Sequence, residues 1–522
     1  MRSPLLTVLF VSRLWVVPVV GQDLQTPFEA SDMEAFTTHE EMASYLANVD
    51  AKAHDMSLGT YGESREGRAL YYAMFSRSGV STPAEAHATG KPIVLLGAAA
   101  HGHNFKLREA LLMMARGLGT PGTELNALLD EVIVLMAPAI NPDGLAQGTR
   151  FTPGGVDLNR DYVALNEPEM AAYVGKLVNT WHPHLMLDGH DGGAQQFGGA
   201  RPYHLLYQAS ATAAADPRLT RIADEDIFPF LNDHLEGVGY RGFYWAYGEE
   251  DAYHGGGSGV RMGRNYGGVA NKVSVLFELA IWPGRETAVR AGRHALEGIL
   301  QYAASKGDAL KSVVLEARRE TIARGRAGEG TIPVAEEAVA DDFRVTYQIE
   351  NPDNPEELLT VEDAEIIKKP RATAERDRPY AYVLPPQARE AVRTLQRHNI
   401  SVERVTEATT VETVRYRLSS ASFEAGANHN ESALVLQVSD EVREEAELPE
   451  GAYVIRTGQL LGRLVAHMLE PETSDNLWYW NHLTPLVPLG ALQAYEQGEE
   501  LSAPILPLWK VMAPAEVPTV GL

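Results

Sequence analysis

Four apolar segments of strand length, each followed by polar side chains, place the tightest limit on how this chain folds. The apolar segments are residues 93–98, 132–136, 185–187 and 273–277. The helical patterns that separate or follow them are residues 107–118, 170–181 and 285–304. Apolar runs without alternation, separated by helices, are typical of a parallel sheet that is buried on both faces. We therefore predict an α/β fold with a mixed, largely parallel sheet and helices on both faces.

The chain has 522 residues, more than one hydrophobic core usually holds, so we expect two domains. We assign residues 22–330 to the first domain and residues 331–345, which are acidic and lose periodicity, to a linker. Two strand-then-helix patterns follow, at residues 380–397 and 453–469. They predict a smaller C-terminal accessory α/β domain at residues 346–522.

The composition excludes several classes of partner and of site. A formal net charge of −25 repels nucleic acid and anionic membranes, so we expect neither as a partner. The chain has no cysteine, which excludes disulfides, thiolate zinc sites and cysteine nucleophiles. Any metal ion must therefore be held by histidine, carboxylate or amide groups.

Residues 1–21 have the pattern of a signal peptide. Arg2 gives a positive start, an apolar run follows, and small residues before Gln22 suit cleavage there. No later segment is long and apolar enough to span a bilayer. We expect an exported protein, periplasmic or extracellular, without a membrane span.

The residues that follow the four strands carry the chemistry. They are His101 and Asn104, the segment 141–144, the segment 188–191, and Glu278. Ligands of open α/β sheets bind at the carboxyl ends of the strands, where these side chains should meet. Two histidines and a carboxylate from separate strands suit zinc, so we expect His101 and His190 to be metal ligands. Glu278 emerges from an apolar strand, where burial raises a carboxylate pKa toward that of a general base.

Several ordered motifs resemble those of the zinc carboxypeptidase family of metallopeptidases, in particular its bacterial members with an extra C-terminal domain. The motifs are Ser64–Arg68, Asn141–Gly144, Arg150, Gly155–Arg160, Asp188–His190 and Asn265–Gly268 leading to Glu278. A softer match covers Tyr382–Pro385 and Leu469–Asp475 in the second domain.

The resemblance implies hydrolysis of a peptide bond by a metallocarboxypeptidase. Zn²⁺ and Glu278 would activate a water, Glu278 would then protonate the leaving amine, and Arg150 would stabilise the oxyanion. Asn159 and Arg160 would hold the terminal carboxylate of the substrate. Their presence favours a carboxypeptidase over an aminopeptidase.

Asn104 departs from the family pattern, in which a glutamate stands three residues after the first histidine. An amide oxygen is a weaker zinc donor than a carboxylate. Three outcomes are open: Asn104 ligates through its oxygen, His103 or another side chain substitutes, or the metal is absent. Glu109, five residues further on, is expected to cap or pack.

Two alternatives to a carboxypeptidase follow from these residues. One is a deacylase or amidase of the same fold, acting on small acyl-amino acids or cell-wall peptides. The other is a non-catalytic peptide- or glycan-binding relative that has lost the metal. A glycine-rich segment at residues 254–259 is expected to form a loop over the site, with Tyr253 or Tyr266 as a substrate-facing phenol.

Overall fold

The computed structural model describes residues 24–77, 79–192, 201–249, 252–280, 282–351, 353–426, 432–499 and 502–522. The signal peptide expected at residues 1–21 lies outside these ranges. Within them, none of the helices has the length and apolar character needed to cross a membrane.

The strands and helices are numbered in chain order. The strands are β1 (Met56–Glu63), β2 (Ala69–Phe75), β3 (Ile93–Ala98), β4 (Ile133–Ala137), β5 (Leu185–Asp191), β6 (Leu205–Ala209), β7 (Gly242–Tyr244), β8 (Ala246–Glu249), β9 (Ala252–Gly255), β10 (Val273–Leu279), β11 (Thr331–Asn351), β12 (Asn354–Asp377), β13 (Ala381–Leu384), β14 (Glu403–Val405), β15 (Thr409–Glu424), β16 (Ala433–Leu448), β17 (Tyr453–Arg456), β18 (Trp509–Val511) and β19 (Thr519–Gly521). The α-helices are α1 (Pro27–Ala30), α2 (His39–Asp50), α3 (Pro83–Ala88), α4 (Lys106–Gly119), α5 (Glu124–Ala127), α6 (Pro142–Gln147), α7 (Pro168–Ala172), α8 (Asn179–Trp181), α9 (Pro217–Ile222), α10 (Phe228–Gly237), α11 (Gly263–Val269), α12 (Arg285–Ser305), α13 (Gly307–Ala327), α14 (Arg389–Arg397), α15 (Gly462–Leu469) and α16 (Leu489–Glu496).

The first sheet has eight strands in the order β1-β2-β4-β3-β5-β10-β6-β7. Its centre, β4-β3-β5-β10, is parallel, whereas β2 and β6 join that centre in antiparallel fashion. The four predicted strands are the four central ones, and every residue of β3 and β4 is buried. The sheet is therefore mixed with a parallel centre, as predicted, while β1, β2, β6 and β7 were not predicted.

Helices cover both faces of this sheet. Along β3, Ile93 and Leu95 belong to one buried apolar cluster, and Val94 and Leu96 belong to another. The first cluster includes residues of α7 and α11, and the second includes residues of α2, α4, α10 and α12. Because successive side chains of a strand point to opposite faces, both faces are buried by helices.

Residues 331–345 are not a linker, and this prediction was wrong. They form the first part of β11, which pairs with β12 in a long antiparallel ribbon that continues the small sheet β8-β9. The apolar side chains of Ile332, Val334, Val345 and Tyr347 are buried. Most of the acidic side chains are exposed or only partly buried, which is why the segment appeared unstructured in the sequence.

The C-terminal region forms a seven-stranded sheet, β16-β15-β18-β13-β17-β14-β19, whose strand pairs are all antiparallel. The predicted elements at residues 380–397 and 453–469 correspond to β13, α14, β17 and α15. One buried cluster includes Leu95 of the first sheet together with Tyr382 and Leu464 of this region. The two regions therefore share a hydrophobic core.

Candidate metal and catalytic centre

The turn between β3 and α4 carries His101 and Asn104. Its backbone closes through a hydrogen bond from the Asn104 amide to the His101 carbonyl, 2.9 Å. Gly102 lies against the following loop so closely that a Cβ there would be 2.5 Å from the Cα of Gly144. A larger residue at position 102 would therefore displace the turn.

The neighbouring strands β5 and β10 bring the other side chains to the same edge of the sheet. Asp188 and His190 are two residues apart on β5, so both lie on one face of it. Glu278 on β10 pairs with His190 in the parallel register, and its charge acts on that histidine. Glu278 itself is partly buried.

Three potential ligand atoms converge at this edge, and we call His101, Asn104 and His190 the donor cluster. Nδ1 of His190 lies 3.1 Å from Nδ1 of His101 and 3.2 Å from Oδ1 of Asn104. The three side chains are 6%, 1% and 1% exposed, in the order His101, Asn104, His190. The structure thus brings together the three residues for which the sequence predicted metal binding.

Each member of the donor cluster is oriented by a polar contact on the side that faces away from the other two. Asp157 Oδ1 is 3.1 Å from Nε2 of His101, and Asp188 Oδ1 is 2.9 Å from Nε2 of His190. A carboxylate at Nε2 favours the tautomer with the proton on that nitrogen, which leaves the lone pair on Nδ1. Asn104 donates from Nδ2 to the backbone carbonyl of Asp191 (3.0 Å), and this turns its Oδ1 toward His190.

The buried charges around the cluster shift several pKa values. Burial and the neighbouring His190 lower the pKa of His101 to about 3, so this ring is neutral. Burial lowers the pKa of His190 as well, but Asp188 raises it and the net pKa lies above the usual value. Burial raises the pKa of Asp157, yet His101 and Arg150 outweigh it and keep this carboxyl ionised.

Arg150 lies at the open side of the donor cluster. Its Nε donates to Asp157 Oδ2 at 2.8 Å, and its Nη1 is 3.3 Å from Nδ1 of His101. About a third of its side chain is exposed. Asp157 therefore contacts both Arg150 and His101. The guanidinium of Arg150 lies beside the Nδ1 atom of His101.

Asn159 and Arg160 follow in a short 3₁₀ turn that Asp157 caps. Asn159 is 5% exposed; its Oδ1 accepts from the Gly263 amide at 2.8 Å, and its Nδ2 is 2.9 Å from Nε2 of His190. The oxygen of this amide is thus held by Gly263, and its nitrogen lies against His190. Arg160 donates through Nη1 to the Asn159 carbonyl at 2.8 Å and remains partly exposed.

Arg261, which sequence reasoning missed, lies near Arg160 together with Arg150. Burial lowers the pKa of Arg160, and the charges of Arg150 and Arg261 lower it further, so the three guanidinium groups are neighbours. Arg261 is held by the fully buried Asp475, with Nη1 2.8 Å from Oδ1. Asp475 belongs to the C-terminal region, which thereby reaches the edge of the site.

The remaining candidates lie elsewhere. His103 is exposed and stacks on His101, with ring centroids 6.0 Å apart. Glu109 is buried and accepts from the backbone and hydroxyl of Thr37, which agrees with a packing role. Tyr266 is fully buried and bonded to Asn179, and Tyr253 is 2% exposed. Neither phenol therefore faces a substrate, contrary to what we expected.

Hydrogen bonds to α11 hold the glycine-rich segment at residues 254–259 in place. The carbonyl of Gly257 accepts from Nη2 of Arg264 at 2.7 Å and from Nδ2 of Asn265 at 3.0 Å. The backbone amide of Arg264 in turn donates to Asp188 at 3.2 Å. The segment thus supports the residue that orients His190.

Comparisons with known proteins show what this chain is similar to. Residues 42–204 match the family profile described as Zinc carboxypeptidase. The matched segment contains the donor cluster, Arg150, Asp157, Asn159 and Arg160.

The similarity to known relatives extends beyond residues 42–204. Carboxypeptidase 2 of Trichophyton rubrum is 23% identical over 458 residues, which cover 84% of this chain and 83% of that protein. A probable carboxypeptidase 2 of Trichophyton verrucosum is 24% identical over 429 residues, covering 79% of this chain and 80% of its own. Among solved structures, a metallo-carboxypeptidase from Burkholderia cenocepacia has a TM-score of 0.40 at 18% identity, covering 51% of this chain and 69% of that one.

Proposed function

We propose that this protein is a metallocarboxypeptidase that uses Zn²⁺ to remove residues from the carboxyl end of a peptide. The observation that carries the proposal is the convergence of two imidazole Nδ1 atoms and one amide oxygen beside Glu278 and Arg150. The match of residues 42–204 to the zinc carboxypeptidase profile and the similarity to carboxypeptidase relatives support it.

The donor cluster fits a zinc ion. Two ligands of a tetrahedral zinc at about 2.0–2.1 Å lie about 3.3 Å apart. The separations of 3.1 and 3.2 Å around His190 are close to that spacing. With their Nε2 atoms facing Asp157 and Asp188, the two rings turn their Nδ1 atoms toward one another, which is an arrangement that suits a shared cation. When bound, zinc polarises the scissile carbonyl and lowers the pKa of a water molecule.

Asn104 is the third ligand in this proposal, the first of the three outcomes left open by the sequence. Its Nδ2 is committed to the Asp191 carbonyl, so only its oxygen faces the histidines. A carboxylate in the same position would place an oxygen against that carbonyl. The surroundings of residue 104 therefore suit an amide. The carboxylates of Asp157 and Asp188 supply negative charge at the Nε2 atoms of the two histidines.

Glu278 and Arg150 take the acid–base and electrostatic roles. Glu278 lies next to His190 at a partly buried strand end, where it can accept a proton from water and return it to the leaving amine. Arg150 presents N–H donors beside His101, where an oxyanion would develop. Asp157 fixes the direction of this guanidinium.

The arginines next to the centre favour a substrate with a free carboxylate. Arg150 is paired with Asp157 and Arg261 with Asp475, whereas Arg160 donates through Nη1 to a backbone carbonyl. A planar guanidinium binds a carboxylate through two parallel hydrogen bonds. We assign this recognition to Arg160, and we assign Asn159 a position beside His190 because its oxygen is held by the Gly263 amide.

The experiment measures zinc content and hydrolysis on the same preparation. We expect zinc to bind at the donor cluster, activity on peptides with a free carboxyl terminus, at least tenfold less on the same peptides amidated there, and loss of activity with chelator that zinc restores. Full activity on amidated peptides or on acyl-amino acids would instead assign a deacylase or amidase. Peptide binding without turnover in zinc-loaded protein would assign a non-catalytic binding protein.

We also propose that the protein is exported, on the strength of the positive start and apolar run in residues 1–21. Residues 1–30 fused to a reporter that is active only outside the cytoplasm provide the test. Export of the fusion supports the proposal, and its retention inside the cell contradicts it. Arg2→Glu serves as the matched variant and should reduce export.

A further inference from the structure

A second group of ligand-type side chains lies on the helices that cover the sheet. His234 is in the last turn of α10, and His294 and Glu297 are one turn apart on α12. One ligand atom from each of the three lies within 4.8 Å of the others. We call these residues the helix cluster. It shares no residue with the donor cluster.

The backbone of α12 allows the close approach of the two helices. A Cβ at Gly298 would lie 3.0 Å from Cδ2 of His234, so only glycine leaves room for that ring without displacement. The rings of His234 and His294 have centroids 6.4 Å apart and are inclined by 50°. Two imidazoles at this distance and angle can direct one nitrogen each toward a common point.

One ring nitrogen of His234 is available to a ligand. Nε2 of His234 is buried and has no hydrogen-bond partner among the described residues. A buried, unpartnered ring nitrogen costs stability unless a ligand satisfies it.

Glu297 is oriented to complete the site. Arg293 reaches Oε1 of Glu297 at 3.3 Å, while Oε2 lies 2.9 Å from Nδ1 of His294. The side chains of His294 and Glu297 are 25% and 12% exposed, so the position is accessible from solvent. Two imidazole nitrogens and one carboxylate oxygen are the ligand types that zinc prefers in the absence of cysteine.

We propose that His234, His294 and Glu297 form a second zinc site that ties α10 to α12. Both helices pack on the same face of the first sheet, in one buried apolar cluster. A cation shared between them would join their polar edges outside that apolar contact. The site would stabilise the fold and leave the catalytic centre unaltered.

The test counts zinc ions in untagged protein by equilibrium dialysis. The variants are His190→Gln, which disables the donor cluster, His294→Gln and His234→Gln, which disable the helix cluster, and the double variant His190→Gln/His294→Gln. His54→Gln, an exposed histidine outside both clusters, is the matched control. Circular dichroism and thermal melting verify that each variant is folded.

We expect two equivalents of zinc in the wild type and in His54→Gln, one in each single variant of a cluster, and none in the double variant. His294→Gln should retain wild-type hydrolysis, and zinc should raise the Tm of His190→Gln but not that of the double variant. If His190→Gln binds no zinc, or if the double variant binds as much as His190→Gln, the helix cluster is not a zinc site. A wild type whose single equivalent is lost in His294→Gln would support this site and contradict the proposed catalytic one.

Discussion

Two buried polar clusters of this protein differ in how their atoms are paired. In the donor cluster, contacts with Asp157, Asp188 and the Asp191 carbonyl hold His101, His190 and Asn104 so that their Nδ1, Nδ1 and Oδ1 atoms face one another. In the C-terminal region, Glu470 and Lys510 are both fully buried, and we call them with Tyr382 and Tyr416 the glutamate cluster.

The polar groups of the glutamate cluster form hydrogen bonds and an ion pair with one another. Glu470 accepts from the hydroxyl of Tyr382 at 2.6 Å and from that of Tyr416, and it pairs with Lys510 at 3.1 Å. Lys510 also donates to Tyr416 at 2.6 Å and lies over its ring. Burial and the charge of Glu470 raise the pKa of both phenols far above the usual value, so they stay protonated as donors.

The buried polar groups of the two clusters therefore differ in their expected roles, which are stability for one cluster and function for the other. A buried charge whose every partner lies within the protein stabilises one conformation, and removing a partner is costly. Buried ligand-type atoms that face one another across a common point gain their full stabilisation only from a bound ion. Substitutions in the glutamate cluster should therefore change stability, and substitutions around the donor cluster should change activity or metal affinity.

The largest effect is expected from Glu278→Gln. Loss of a general acid–base group lowers a rate by up to about 10⁴-fold, so kcat should fall by that order while zinc content and Tm stay near the wild type. Steady-state kinetics and metal analysis measure both. Glu286→Gln, an exposed glutamate on α12, is the control and should be unaffected. A change of less than tenfold would remove Glu278 from the mechanism.

Glu470→Ala should destabilise the protein by about 3–5 kcal/mol, because it leaves the buried Lys510 with only the longer, 3.5 Å ion pair to the partly exposed Glu441. Denaturant unfolding monitored by fluorescence gives the free energy of unfolding. Glu412→Ala removes an exposed ion pair with Arg443 in the same sheet and should cost at most about 1 kcal/mol. Equal losses in the two variants would contradict the structural role of the glutamate cluster.

Arg150→Gln should lower kcat by about 10²–10³-fold, since it removes the charged donor beside His101. The KM should change less than kcat if the guanidinium acts on the transition state. Arg290→Gln, at an exposed position of α12, provides the comparison. A pure KM effect would show that Arg150 binds substrate without stabilising an oxyanion.

The smallest effect should come from Asp157→Asn, which keeps the shape but removes the charge behind His101. Replacing such a partner typically costs about 10–100-fold in metal affinity, and we expect about that loss in zinc competition titrations. Asp308→Asn, at a fully exposed position, should leave zinc affinity unchanged. An unchanged affinity in Asp157→Asn would place the orienting role with backbone geometry alone.

The central part of the fold and of the site could be predicted from sequence. Each of the four buried strands contains a run of mostly apolar residues, His101 comes three residues after β3, and His190 and Glu278 lie next to the last residue of β5 and β10, so local patterns contain the information. The sequence indicated Asp157 only as a member of the motif Gly155–Arg160, without a role of its own. By contrast, Arg261 and Asp475 are 214 residues apart, and no local pattern predicts their contact.

The β11–β12 ribbon was missed for a related reason. Its strands are stabilised by pairing with each other and by packing of Val345, Tyr347 and Ile366 on Tyr203 and Phe243. The frequent acidic residues reduce the apolar signal of each strand taken alone. Long-range pairing, which the sequence does not display, overrides that weak local preference.

The ribbon also limits how far the protein can be shortened. A truncated chain ending at residue 330 would lose the strand that pairs with β9 and would uncover aromatic side chains that β11 and β12 now bury. It would further release Arg261 from Asp475 and leave an open sheet edge of the kind that promotes aggregation. The region after residue 330 is therefore not separable: residues 24–330 are expected to stay soluble and to keep Arg261 in place only when both regions are made together.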